Sequence, residues 1–250
     1  MRFRVEPSPS GGYFVRLAGV DAPVSRHDTE EEAEAAAASY DRGVRDNRVG
    51  DLQRLRDGGE VLIRAVRAED KPLFVRGWER FGDESRYLRF MGVKGKLSTS
   101  ELSFFTEIDH VDHEAIGALD PETGEGLGVA RYVRDLDRPH AAEAAVSVID
   151  AMQGRGLGGL LLRRLCHRAA QNGIRVFTAG LLASNHSMLH LFEKLGTVRV
   201  TEREGPELYI DVELQVSDAP TLELALRSAA TGHIGLDSRR DGGAELGRGR

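Results

Sequence analysis

The stretch Val146-Ser-Val-Ile149-Asp-Ala-Met-Gln153-Gly-Arg-Gly-Leu-Gly158-Gly159-Leu160 decides the fold of this chain. Its apolar start predicts a buried strand, its glycine cluster predicts a tight turn, and the residues that follow predict a helix ending near Gly173. Glycines leave the backbone N–H groups of such a turn unobstructed, and the dipole of the following helix favours negative charge at the same point. The stretch therefore predicts a phosphate-binding turn between a strand and a helix.

Two motifs overlap in this turn. Gly154-Arg-Gly-Leu-Gly-Gly159 satisfies the dinucleotide-binding pattern G-x-G-x-x-G, and Gln153-Gly-Arg-Gly-Leu-Gly158 satisfies Q-x-x-G-x-G. The dinucleotide pattern requires an acidic residue at the end of the next strand, to bind a ribose. That strand ends in Leu181-Leu-Ala-Ser-Asn185, which has no carboxylate, and the chain upstream lacks repeated parallel βαβ units. We therefore favour the second motif and keep a nucleotide-binding oxidoreductase as a distant alternative.

The composition excludes several classes of protein. The chain has 250 residues, of which 40% are hydrophobic and 30% charged, with a net charge of −6. This is globular usage without the basic surface that nucleic-acid binding requires. The single cysteine, Cys166, forms no intramolecular disulfide and suits a reducing compartment, so we expect a cytoplasmic protein. No apolar run approaches the roughly 18 residues of a membrane span, and no signal peptide is evident.

Turn residues and periodicity divide the chain into three parts. Residues 1–50 predict a small ββα module, whose helix begins after Asp28-Thr29. Residues 46–60 read as a polar linker. Residues 60–216 alternate strand and helix patterns and predict the main mixed α/β domain, with a hairpin around Asp120–Gly124 and a half-buried last strand at 208–216. Residues 217–250 are rich in glycine and charge, so we expect a disordered tail.

The residues from Glu143 to Gly196 resemble the acyl-CoA-binding half of the GCN5-related N-acetyltransferase (GNAT) superfamily. The resemblance rests on the Q-x-x-G-x-G turn and on the downstream helix that Asn185 opens, and the order of elements from Val61 to Val216 is similar throughout. Three segments, Asp83–Phe90, Gly128–Tyr132 and Ala142-Glu143, are similar to the acetyltransferase domain of bacterial protein-lysine acetyltransferases. The fold implied is a central mixed, mostly antiparallel sheet flanked by helices.

The resemblance implies transfer of an acetyl group from the cosubstrate acetyl-CoA to an amine, such as a protein lysine, by direct attack and without a metal. The backbone of the glycine turn would bind the CoA pyrophosphate through residues Gln153, Gly154, Arg155, Gly156, Leu157 and Gly158. Val146, Ser147 and Val148 would pair with the pantetheine arm, which Asn185 would also approach. The alternative is a non-catalytic acyl-CoA sensor, in which the N-terminal module transmits occupancy to a partner. The acceptor is left open, because its determinants fall in loops such as 92–103.

Glu143 is the candidate general base. An attacking amine must be neutral, yet a lysine-type ammonium has a pKa near 10.4, so a carboxylate must accept its proton directly or through water. Glu143 lies ten residues before Gln153, similar to the position of the base in several family members. The competing interpretation is an ordinary solvated glutamate at the start of a strand.

One position departs from the family pattern. Many relatives carry a tyrosine in the helix after the asparagine, as acid for the departing thiolate, and here that position is Phe192. Tyr132 is a weaker candidate for this role, and a packed strand tyrosine is the simpler interpretation.

Other reactive side chains have plain interpretations. The segment Glu107–Glu114 groups four carboxylates with two histidines, which suits a solvated loop or an acidic rim for a cationic amine better than a metal site. Cys166 is expected to pack as a small apolar side chain, and the helical histidines 167, 186 and 190 as surface or core groups.

Overall fold

The computed structural model describes residues 3–45, 50–82 and 96–215. The motif Asp83–Phe90 and the tail 217–250 lie outside the described residues. The strands are β1 (Phe3–Pro7), β2 (Tyr13–Leu17), β3 (Pro23–His27), β4 (Asp51–Arg54), β5 (Glu60–Ala65), β6 (His113–Leu119), β7 (Gly126–Arg134), β8 (Ala141–Val148), β9 (Val176–Leu182), β10 (Gly196–Glu204) and β11 (Glu207–Leu214). The helices are α1 (Glu30–Arg45), α2 (Lys71–Glu79), α3 (Thr99–Thr106), α4 (Leu157–Gln171) and α5 (His186–Glu193), and none of them is long and apolar enough to cross a membrane.

The main sheet confirms the expected mixed, mostly antiparallel architecture. Its eight strands follow the order β10-β11-β9-β8-β7-β6-β5-β4. Every pairing is antiparallel except that of β8 with β9, which is parallel. The predicted hairpin joins β6 to β7 through a turn in which Gly124 N donates to the Asp120 carbonyl at 2.8 Å. The one parallel pair sits at the centre of the sheet, where the glycine turn begins.

The largest core lies between the sheet and helix α4. Along β8 the even-numbered residues Ala142, Ala144 and Val146 are buried. They belong to the same cluster as Leu161 and Leu165 of α4. Since side chains alternate between the two faces of a strand, the odd-numbered residues of β8 lie on the opposite face of the sheet.

The N-terminal region differs from the expected ββα module and linker. A third strand, β3, pairs with β2, and part of the expected linker forms β4, which pairs with β5 from Asp51↔Ile63 to Arg54↔Glu60. The residues of β4, Asp-Leu-Gln-Arg, include a single apolar side chain and so do not show the alternation that predicts a strand. Their extended conformation depends on the pairing with β5. The polar linker prediction was therefore wrong for residues 51–54.

The N-terminal sheet, formed by β1, β2 and β3, packs against helices α2 and α3. Leu17 and Val24 of this sheet form one buried cluster with Val75 and Trp78 of α2 and Leu102 of α3. The region 3–45 is too small to bury an extensive core by itself, and these helices supply the missing apolar surface. A regulatory role for this region stays a prediction.

Candidate active site

Strands β8 and β9 part soon after they begin. Their register partners are Ala141↔Val176, Ala142↔Phe177 and Glu143↔Thr178. Within the described residues β8 then runs five residues further, to Val148, with no partner on β9, while β9 stays paired with β11. The backbone groups of β8 that face β9 from residue 144 onward are therefore open to an extended ligand, which can pair with them as a strand does.

Glu143 lies at the point where the two strands part. It is exposed, and its position on β8 places it on the sheet face opposite helix α4. Ala145 and Ser147 follow it on the same face and are half-buried. A carboxylate at this position has access to solvent and to any group that approaches the open edge of β8 from this face.

The glycine turn joins the end of β8 to the start of α4. Gly154 and Gly156 adopt positive φ angles of 71° and 88°, which favour glycine strongly over other residues. A Cβ at Gly158 would lie 3.3 Å from Leu191 Cδ1 and 3.8 Å from Val148 Cγ2, so the missing side chain lets α4 approach both β8 and α5 closely. The open space between β8 and β9 beyond Glu143 forms a cleft. The first backbone N–H groups of α4, which have no partners within a helix, lie at the end of this cleft next to the glycine turn.

The structure directs the Arg155 side chain away from the open part of the turn. Its guanidinium forms an ion pair with Asp57, in the turn between β4 and β5. This contact lowers the pKa of the Asp57 carboxyl. Arg155 can still offer its backbone N–H to an anion, but its charge is largely compensated by Asp57.

Two other predicted contacts to the cosubstrate have structural roles of their own. The Gln153 side-chain amide lies 3.4 Å from the Val148 carbonyl and 3.2 Å from Asp150 Oδ1, so it braces the turn. Asn185 caps helix α5, and its Oδ1 accepts a hydrogen bond from Met188 N at 3.1 Å. Gln153 follows β8 and Asn185 follows β9, so both residues lie beyond the C-terminal ends of the two parted strands.

Phe192, at the position where many relatives carry a tyrosine, and Tyr132, the weaker candidate for the acid, are both packed. Phe192 is 1% exposed and lies in the core beneath the sheet. The Tyr132 side chain is equally buried, and its hydroxyl donates to the Val111 carbonyl at 3.0 Å and accepts from Asn172 Nδ2 at 2.7 Å. Burial raises the pKa of Tyr132. The burial and the hydrogen bonds of Tyr132 therefore indicate a structural role.

Burial also explains Cys166. Its side chain packs against the core of α4 and the sheet, and this burial raises the pKa of the thiol to about 12. Since the thiolate is the nucleophilic form, Cys166 is inert at neutral pH.

The carboxylates of the acidic segment 107–114 are engaged by cationic side chains or by backbone N–H groups. Its four carboxylates are engaged as follows: Glu107 with Lys71, Asp109 with the backbone N–H groups of residues 111, 112 and 113, Asp112 with Arg134, and Glu114 with Arg168. No group of three or more His, Cys, Asp or Glu side chains suited to a metal ion occurs in the part of the chain that the structure describes.

An apolar pocket of about 100 Å³ lies on the same sheet face as Glu143, between the sheet and helices α2 and α3. Its walls include Phe74, Trp78, Phe105 and, next to the cleft, the register partners Val129 and Ser147. The Arg131 guanidinium closes part of the wall, 4.3 Å from the centroid of the Phe105 ring. The sequence did not predict this pocket, because its lining residues come from six separate strands and helices. In the sequence, Leu73, Phe74, Trp78 and Phe81 form an amphipathic helical pattern, which indicates an apolar helix face but not what packs against it.

Comparison with known proteins shows which proteins this chain is similar to. The model of the Acetyltransferase (GNAT) family matches residues 83–197. An acetyltransferase of Pseudomonas aeruginosa is 34% identical over 149 residues, which are 59% of this chain and 80% of that protein. Acetyltransferase Pat of Mycolicibacterium smegmatis is 32% identical over 151 residues, 60% of this chain, and the match spans 45% of that protein. The solved GNAT domain of S. lividans PAT has a TM-score of 0.61 and 31% identity, covering 66% of this chain and 96% of that domain.

The parted sheet, the glycine turn and these relatives define the class as acetyltransferases. The chain belongs to the GNAT family, whose members are acyl-CoA-dependent N-acetyltransferases and thus enzymes. The expected resemblance to bacterial protein acetyltransferases is confirmed by the match to the GNAT domain of S. lividans PAT.

Proposed function

We propose that this chain transfers the acetyl group of acetyl-CoA to the side-chain amine of a protein lysine. The observation that carries the proposal is the parting of β8 from β9 after Glu143↔Thr178, directly ahead of the glycine turn. Acetyl-CoA has an extended amide-containing arm and a charged pyrophosphate. An open strand edge that leads to a helix N-terminus complements both parts.

The binding residues divide along the cosubstrate. Backbone groups of Val146, Ser147 and Val148 pair with the pantetheine arm, and the amides of the turn from Gln153 to Gly158 hold the pyrophosphate. A backbone N–H of β8 directed at the thioester oxygen stabilises the negative charge that develops there during attack. Asn185, held as the cap of α5, borders the arm from the far side of the cleft.

Glu143 acts as the general base. The amine nitrogen attacks the thioester carbonyl carbon, the C–N bond forms, and the C–S bond breaks as CoA leaves. Glu143 takes the proton of the incoming ammonium, directly or through water, because the neutral amine is scarce at neutral pH. As the amide forms, the attacking nitrogen loses its second proton to water. With Phe192 buried where many relatives place a tyrosine, water also reprotonates the thiolate.

The lysine acceptor is supported by the relatives and by the pocket. A similar solved domain belongs to a protein named PAT, and the apolar pocket lies on the face of Glu143. A lysine side chain carries four methylene groups beneath its amine, which suits apolar walls of aromatic residues.

Calorimetric titration with acetyl-CoA, with NADH and NADPH as controls, tests the cosubstrate. Release of free thiol in the presence of lysine peptides then tests transfer. We expect micromolar binding of acetyl-CoA alone and thiol release that depends on the amine. Binding without thiol release on any amine would support the non-catalytic sensor instead, and stronger binding of NADH or NADPH would revive the oxidoreductase.

A further inference from the structure

One arginine side chain lies against the glycine turn and another lies against the first turn of α4. A Cβ placed at Gly156 would lie 3.8 Å from Arg56 Nε, and a Cβ placed at Gly159 would lie 3.4 Å from a terminal guanidinium nitrogen of Arg163. Both arginines are exposed. Neither has an ion pair or a hydrogen bond within residues 3–45, 50–82 and 96–215. The start of α4 is therefore flanked by two uncompensated guanidinium groups, one from the helix itself and one from the β4–β5 turn.

The remaining arginines of α4 and of the glycine turn form ion pairs. Their ion pairs are Arg155 with Asp57, Arg164 with Asp51, and Arg168 with Glu114. The first turn of α4 carries no acidic residue. Among the arginines near the start of α4, Arg56 and Arg163 are thus the two without an acidic partner within the described residues.

The hairpin that carries Arg56 is fixed against the turn. Asp57 holds it to Arg155 at one end, and Asp51 holds it to Arg164 of α4 at the other. The hairpin loop itself is closed by a hydrogen bond from Leu55 N to the Gly59 carbonyl at 2.7 Å. A cation at position 56 is therefore held beside the turn and does not depend on a free loop to reach it.

We propose that Arg56 and Arg163 bind the pyrophosphate of CoA together with the backbone N–H groups of the turn. This inference rests on the proposed function. The planar guanidinium group donates two parallel hydrogen bonds to phosphate oxygens, and such charge-assisted bonds are stronger than neutral ones. Arg56 thus supplies the side-chain cation that Arg155, paired with Asp57, does not supply.

The dissociation constants of CoA and of dephospho-CoA test this assignment in the full chain. Dephospho-CoA lacks the 3′-phosphate and keeps the pyrophosphate. We expect Arg56→Ala and Arg163→Ala each to raise the Kd of both ligands by about tenfold, as the loss of one charge-assisted contact would. Arg54→Ala is the matched control, because Arg54 lies on the same hairpin, pairs loosely with Glu60 at 3.4 Å and should leave both constants unchanged.

The outcomes are separable. If the unaltered chain binds CoA and both variants bind it equally well, with unchanged thermal midpoints, the inference is overturned and the proposed function stands. A loss confined to CoA would place the arginines at the 3′-phosphate and contradict the pyrophosphate assignment. If the unaltered chain binds no CoA, the proposed function itself fails.

Discussion

Glu143 and Thr178 are the last register partners that join β8 to β9, and from this pair onward the central sheet is open. The candidate base is thus placed where the open edge begins, ahead of the glycine turn that the rest of β8 leads to. A cosubstrate that fills the edge brings its reactive end toward Glu143 and its phosphates toward helix α4. The separation of β8 from β9 therefore both opens the strand edge and places the Glu143 carboxylate at its beginning.

The Glu143→Gln variant tests the base. We expect turnover to fall about 10²–10⁴-fold, because glutamine keeps the size of the side chain and cannot accept the proton. The Kd of acetyl-CoA should stay unchanged, since the contacts proposed for the pantetheine arm come from the backbone. Initial rates at saturating acetyl-CoA, together with calorimetry, measure both quantities.

The matched control is Glu213→Gln, an exposed glutamate on β11 of the same sheet. Its turnover should equal that of the unaltered chain. Full activity in Glu143→Gln would remove Glu143 from the mechanism.

The Gly156→Ala variant tests the turn. At a φ of 88° an alanine costs about 1 kcal/mol of folding free energy and shifts the amides that face the ligand. We expect the Kd of acetyl-CoA to rise tenfold or more, by roughly the value of one charge-assisted hydrogen bond.

Gly173→Ala separates binding from stability. Gly173 has a similar φ of 79° but follows the far end of α4, where a Cβ would meet nothing within 4 Å. It should lose similar stability by chemical denaturation while binding acetyl-CoA normally. Equal losses of affinity in the two variants would mean that the turn does not bind the ligand.

The burial of Cys166 argues for direct attack by the amine over a cysteine-bound acyl intermediate. With the pKa of the thiol raised to about 12, the thiolate is scarce at pH 7. We expect Cys166→Ala to keep its turnover within about twofold, and initial-rate plots against both substrates to intersect. Parallel plots that disappear with the cysteine would contradict direct attack.

The surroundings of His113 predict a dependence of stability on pH. Burial, and then the charge of Arg131, lower the pKa of His113 to about 4, against about 6.5 in the unfolded chain. Between these values the unfolded chain binds more protons at this site than the folded chain does, so the free energy of unfolding decreases as the pH falls from 6.5 to 4.

Denaturation curves across this range measure the effect. His113→Gln should flatten the slope, because glutamine does not titrate, whereas the same change at the exposed His140 should leave the slope as it is. An unchanged slope in His113→Gln would show that His113 is not the group responsible.

Sequence reasoning predicted the central part of the site because its signals are local. The glycines at 154 and 156 are required by the backbone of the turn itself, and the alternation of β8 fixes the face on which Glu143 lies. From β6 onward, the chain order of strands and helices then followed from periodicity.

The parts that were missed depend on contacts between distant segments. The direction of the Arg155 side chain is set by Asp57, which lies 98 residues earlier. Strand β4 exists because β5 offers it an edge, and the pocket beside Ser147 is assembled from helices and strands spread over the chain. No pattern within a single segment carries such information.

Mass spectrometry of a lysine peptide after incubation with the protein and acetyl-CoA tests the central claim most directly. The peptide should gain one acetyl group on the lysine side-chain nitrogen for each free thiol released, and the same peptide with that nitrogen methylated to a quaternary ammonium should gain none. An unmodified peptide across a panel of sequences, from a chain shown to bind acetyl-CoA, would contradict lysine acetylation.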